Sequence, residues 1–315
     1  MEENKDYGAK NADNTERRGA ISFLRDFLSG ICIGVGFIIP GFSGGSVAAL
    51  LGIYERIIYA IANIFKEMKK SIITLLPIGL GLIVGAVSLM YPIGYMLGRY
   101  PLPTVSLFVG LAIGGIPSLM KKVEGKPDSD NIIALSVPLA LTVMLCFIPV
   151  GREVDVLGIG FVGYLLLLLV GILGSCALVV PGISGSMLLL IIGYYNPLIR
   201  LITEHLFKFK DVLECVLVLG VFAAGAAVGF FIISVIMKRM LARYPRGTYY
   251  AIIGFVIGSV PTVYASTVRA SGMLGAFGQL SRPSSPIHYV ICLFIVLLGA
   301  GISHSFSKLC EKNDD

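Results

Sequence analysis

One short string occurs twice in this chain, each time inside strongly apolar sequence: Pro40-Gly41-Phe42-Ser43-Gly44-Gly45 and Pro181-Gly182-Ile183-Ser184-Gly185-Ser186, each followed by a Gly-x-Tyr. Proline removes a backbone donor and clashes with the preceding helical turn, so each string interrupts a helix. In hydrocarbon an interrupted backbone survives only where protein or a water-filled cavity satisfies its polar groups. The two breaks are therefore expected to line a site.

That the surroundings are lipid follows from composition. Of 315 residues, 56% are apolar and only 14% charged, with a mean hydropathy of +0.87. Such values exclude a soluble enzyme and describe an all-α polytopic membrane protein. Ten apolar segments can be drawn, at 21–39, 46–65, 71–98, 103–120, 132–150, 157–180, 186–207, 212–240, 247–266 and 287–307, and about 20 residues suffice for each crossing. The first segment has only thirteen residues between Asp26 and Pro40, and its partner carries Glu55-Arg56. This pair is expected to form a re-entrant hairpin rather than two spans. The longer sixth segment leaves the second pair open between re-entrant and spanning. Residues 1–20 are polar without a secretory apolar core and read as a retained cytoplasmic tail, and 310–315 read as a C-terminal one.

Charge bias orients the chain. Seventeen Lys and Arg, including Lys66, Lys69, Lys122, Lys238 and Arg243, fall on one face, and six, including Arg99 and Arg152, on the other. By the positive-inside bias both termini are cytoplasmic. The net charge of +6 then reflects basic loops against anionic lipid and calls for no nucleic-acid partner. The oligomeric state is not legible.

The repetition extends beyond the breaks. A shift of 141 residues superposes Pro40, Gly41, Ser43, Gly44, Gly52 and Tyr54 on Pro181, Gly182, Ser184, Gly185, Gly193 and Tyr195. A shift of 144 matches Arg99-Tyr100-Pro101, Thr104, Gly110 and Gly114 with Arg243-Tyr244-Pro245, Thr248, Gly254 and Gly258. Two halves follow, residues 21–150 and 151–309. Each holds an odd number of crossings, so they are expected to face opposite ways, the inverted-repeat plan of many transporters with sites on discontinuous helices.

After each break a helix is expected to restart near Ser46 or Ser186, with its unpaired first-turn amides turned into the break. A helix start favours phosphate or carboxylate. The candidate headgroup ligands are Ser43, Gly44, Gly45 and Ser46 at the first break and Ser184, Gly185 and Ser186 at the second. Helix packing is the competing use of such small residues.

Glu55 and Arg56 lie where charge is expensive and usually functional. Either they neutralise each other at the cytoplasmic end, or Arg56 meets the anion while Glu55 positions it or carries a proton. Arg99 and Arg243 begin loops on opposite faces, where each either draws a lipid phosphate to its entrance or anchors the interface with its tyrosine. Tyr54, Tyr194 and Tyr195 read as packing residues. The six cysteines and three histidines are scattered without metal-ligand spacing, and there is no phosphate-binding ATPase loop, so neither metal nor cofactor is expected.

The strings PGFSGGSVAALLGIYERII and PGISGSMLLLIIGYY, with the duplicated Arg-Tyr-Pro, resemble the bacterial and archaeal polyprenyl-phosphate transporter family. The resemblance covers nearly the whole chain after residue 20. It implies a flippase of the bacterial cytoplasmic membrane that returns undecaprenyl phosphate, the lipid carrier of cell-envelope synthesis, from the outer to the inner leaflet. Its motifs fall on Pro40 to Ser46, continuing to Glu55 and Arg56, and on Pro181 to Ser186. A lipid-pyrophosphate phosphatase is the first alternative. That family's Pro-Gly-x-Ser loop continues with an arginine, however, where this chain has Gly44 and Gly185. A transporter of a small soluble anion is the second.

Overall fold

In the computed structural model, residues 20–38, 43–123, 125–149, 151–202, 212–273 and 286–311 are described; they form twelve helices and no strand. Outside them lie the N-terminal tail to residue 19, Pro40-Gly41-Phe42 of the first motif, the segment from Glu204 to Lys210, Arg282 and the last four residues. In chain order the helices are α1 Ala20–Ile38, α2 Gly44–Leu50, α3 Tyr54–Ala62, α4 Met68–Arg99, α5 Pro101–Lys121 and α6 Ser129–Leu145. There follow α7 Phe161–Val179, α8 Gly185–Ile191, α9 Tyr195–Arg200, α10 Val212–Arg243, α11 Pro245–Met273 and α12 Pro286–Glu311.

Six of these, α4, α5, α7, α10, α11 and α12, are long and apolar enough to cross a membrane. The protein is an all-α, multi-pass membrane protein. At 1.5 Å per residue, the 32 residues of α4 and of α10 reach about 48 Å, so their ends pass beyond the roughly 30 Å hydrocarbon layer.

The helices restart at Gly44 and Gly185, close to the expected points, but the segments that follow are not single helices. Each stops after seven residues, and the first resumes at an angle of 118°. The cause is local. Gly52 and Gly193 have φ of +72° and +83°, a conformation that glycine adopts without steric cost. Around them the N–H of Ile53 donates to the Ala48 carbonyl and that of Gly52 to Ala49, with Tyr194 to Leu189 and Gly193 to Leu190 as the second set. This is the Schellman termination of a helix, and it is what the repeated Gly-x-Tyr encodes.

The repeated Arg-Tyr-Pro is likewise a joint. α4 ends at Arg99 and α5 begins at Pro101, as α10 ends at Arg243 and α11 begins at Pro245; proline suits the first helical position because its missing N–H has no partner there. The Thr104 hydroxyl donates to the Tyr100 carbonyl at 2.7 Å, and that of Thr248 to Tyr244 at 2.8 Å.

Glycines fix how the long helices meet. An added Cβ at Gly81 would run into the Phe27 carbonyl of α1 and one at Gly85 into that of Ile31, while at Gly225 and Gly229 it would strike the Leu168 and Ile172 carbonyls of α7. α1 thus packs on α4 as α7 packs on α10, small residues four apart allowing near backbone contact. Gly110 and Gly114 of α5 press on Val296 and Ala300 of α12, and Gly254 and Gly258 of α11 on Leu135 and Leu139 of α6. α6 therefore packs on α11, and α12 on α5. At the centre α5 and α11 meet, with Ser106 and Tyr264 hydroxyls 3.0 Å apart. Their spanning windows are the most buried of the six, at 56% and 61%.

Candidate functional site

Ser43 takes extended backbone, φ −118° and ψ 130°, at the N-cap of α2, yet its side chain makes no capping hydrogen bond. Ser43 and Ser46 are 2% and 1% exposed, and neither hydroxyl has a hydrogen-bond partner. Among the described residues, four buried polar side-chain atoms are in that condition, and three of them, on Ser43, Ser46 and Tyr54, belong to this one broken arm. A buried hydroxyl left unpaired costs about 1–3 kcal/mol. Two such donors one helical turn apart are chemically matched to the oxygens of a phosphate or carboxylate.

The absence of side chains brings the two breaks together. A Cβ on Gly45 would lie 2.9 Å from the carbonyl oxygens of Leu178 and Val179, at the end of α7 that leads into the second break. Gly44 is walled by the Phe37 ring and Ile33 of α1.

The second break is built differently. The Ser184 hydroxyl accepts the Met187 N–H at 3.3 Å, and the Ser184 and Ser186 hydroxyls lie 2.9 Å apart. Gly182, at φ +88°, is pressed against the Phe255 backbone of α11. Ser184, which stands where Ser43 does, and Ser186, which stands where Gly45 does, are thus occupied with each other and with their own helix, whereas Ser43 and Ser46 are not.

The charged candidates also separate. Arg56 makes a two-pronged contact with Asp26 of α1, Nη1 to Oδ1 at 3.1 Å and Nη2 to Oδ2 at 2.9 Å, the strongest geometry for this pair. Asp26 is 1% exposed. Glu55 Oε1 receives Lys122 Nζ at 3.2 Å and a hydrogen bond from the Tyr249 hydroxyl. The reading in which Glu55 and Arg56 neutralise each other therefore needs correction: Arg56 has its opposite charge on α1, and Glu55 has its own just past the end of α5. In the second half Asn196 and Arg200 both bind Glu153, and these contacts hold the Glu153 carboxyl below the ordinary glutamate range, Asn196 having the larger effect. Arg99 and Arg243 are exposed at the ends of α4 and α10, with Arg243 5.6 Å from the centre of the Tyr244 ring.

Sequence reasoning passed over Asp26, Lys122, Tyr249 and the role of Tyr54. A signal existed for Asp26, a lone acid within an apolar segment that also faces an intramembrane arginine. Lys122 looked like one loop cation among many.

A family model described as VCA0040-like, undecaprenyl phosphate translocase-like, matches residues 33–280. The chain is 23% identical over 334 residues to a polyprenyl-phosphate transporter of Vibrio cholerae, covering 93% of this chain and 98% of that one. It is 27% identical over 297 residues to a polyprenyl-phosphate transporter of Staphylococcus aureus, covering 92% and 98%. No solved structure matches.

Proposed function

The chain belongs to the undecaprenyl phosphate translocase-like family, and on that premise we propose that it carries the phosphate headgroup of a polyprenyl-phosphate lipid across the cytoplasmic membrane of a bacterium, from outer to inner leaflet. The observation that carries this reading is the pair of buried, unpartnered hydroxyls of Ser43 and Ser46 at a break that abuts the second break through Gly45. The polyprenyl tail is at home in lipid, so only the charged headgroup needs an escort, since a naked charge in the apolar core costs several kcal/mol.

In this account the headgroup enters from the outer leaflet, where Arg99 attracts it, and is held by Ser43 and Ser46 with the Gly44-Gly45 backbone drawn close. Ser184, Gly185 and Ser186 form the opposing wall. The halves 21–150 and 151–309 face opposite ways, both termini are cytoplasmic, and a shift of one half against the other passes the headgroup toward Arg243 on the inner face. Arg56 reaches the phosphate only by exchanging Asp26 for it. Hydrolysis of a pyrophosphate lipid is less well supported: Asp26 and Glu55, the carboxylates flanking the first break, are already engaged by Arg56 and Lys122.

Proteoliposomes carrying labelled undecaprenyl phosphate test the proposal. Headgroup movement well above that of protein-free vesicles is expected. Movement no faster than in empty vesicles, or release of phosphate from undecaprenyl pyrophosphate by the purified protein, would overturn it.

A further inference from the structure

Where Gly52 turns the chain back, a small pocket opens between Ala49, Gly52, Tyr54, Glu55, Lys122 and Tyr249. Three observations make it more than a surface dent. Tyr54 is 4% exposed and its buried hydroxyl has no partner. Lys122 Nζ lies 3.2 Å from Glu55 Oε1 and 5.6 Å from the centre of the Tyr249 ring. The Tyr249 hydroxyl donates to that same carboxylate oxygen. The pocket therefore gathers an ammonium and a phenol that both bind one resident carboxylate, and it is lined as well by a second phenol whose hydroxyl has nothing to bind.

This is the donor set that a phosphate monoester would use, with Glu55 standing where phosphate oxygens would sit. Glu55 and Lys122 come from the first half and Tyr249 from the second, so the carboxylate also ties the reversed arm to α11. By the charge bias this end of the molecule is cytoplasmic.

We propose that this pocket is the release-side subsite for the phosphate monoester headgroup, and that Glu55 is its built-in competitor: an arriving phosphate takes Lys122 and Tyr249 from Glu55, and Glu55 takes them back to expel it. The exchange frees α3 from α11 while phosphate is bound, which couples occupancy to movement between the halves. The inference rests on the transport reading and adds to it a specific inner site and a means of discharge.

Titration of the detergent-purified full chain with farnesyl phosphate and, separately, with inorganic phosphate tests it. Glu55→Gln removes the competitor and is expected to bind farnesyl phosphate about fivefold more tightly than wild type, and Lys122→Gln about fivefold more weakly, the ratio that 1 kcal/mol represents. In vesicles Glu55→Gln is expected to lower both the half-saturating lipid concentration and the maximal rate. Opposite shifts from two members of one ion pair cannot arise from unfolding, which weakens binding in both. If wild type binds farnesyl phosphate and both variants match it, or both weaken, the inference is overturned while the transport reading stands. Equal affinity for inorganic phosphate assigns the pocket to free phosphate and overturns its lipid role. Wild type binding neither compound overturns both readings.

Discussion

Ser43 and Ser46 bear hydroxyls that are worse than useless to an empty fold, since each is withdrawn from water and given nothing in return. Replacing them should therefore separate function from stability. Ser43→Ala with Ser46→Ala is expected to leave the melting temperature in detergent unchanged or raise it, while headgroup movement in proteoliposomes falls about tenfold or more, the worth of one or two charge-assisted bonds. Ser184→Ala is expected to do the reverse in the first measurement, losing about 1 kcal/mol because its hydroxyl caps α8 through Met187. Arg56 is a different case. Arg56→Gln strips a two-pronged partner from the buried Asp26 carboxylate and is expected to cost about 2 kcal/mol, below the full value of a buried pair because the arginine side chain is 29% exposed. Adding Asp26→Asn should recover most of that loss in thermal unfolding. A double variant as unstable as the single one would show that the pair is not what matters.

At the scale of elements, the glycine contacts make the sharpest claims. Gly81 sits where any side chain meets the Phe27 carbonyl, whereas Gly79, two residues earlier in the same helix, has open space. Gly81→Val is expected to destabilise α1 against α4 by about 3 kcal/mol or more through overpacking, and Gly79→Ala to be neutral or to stabilise by up to about 1 kcal/mol through helix propensity; melting of the two variants in one detergent decides it. Much of this level was legible in the chain. The offsets of 141 and 144 residues align Gly110 and Gly114 with Gly254 and Gly258, and all four prove to be contact points of corresponding helix pairs. The Gly-x-Tyr was noticed as a repeat but not as a helix terminator, although glycine at that place has a local cause that needs no tertiary information. What could not be read was pairing at long range. Asp26 to Arg56, Glu55 to Tyr249, and the packing of α6 on α11 and of α12 on α5 depend on how separated segments meet in space, and hydropathy is the same whichever neighbour a helix chooses.

For the whole molecule, the proposal requires the halves to be inverted, and two equivalent residues report on that directly. Arg99 and Arg243 occupy the same place in the repeated Arg-Tyr-Pro and are both exposed. In a cysteine-free background, Arg99→Cys is expected to react with an impermeant thiol reagent added outside intact cells, and Arg243→Cys only after the cytoplasm is opened. Labelling of both from one side would mean parallel halves and remove the basis for paired breaks that face each other. The central claim is that the first break holds a lipid phosphate. A density map of the protein bound to polyprenyl phosphate measures this most directly: the account predicts phosphate oxygens within hydrogen-bond distance of the Ser43 and Ser46 hydroxyls, beside the Leu178 and Val179 carbonyls that close on Gly45. A phosphate seated away from the break, with those two hydroxyls bonded to protein instead, would contradict it.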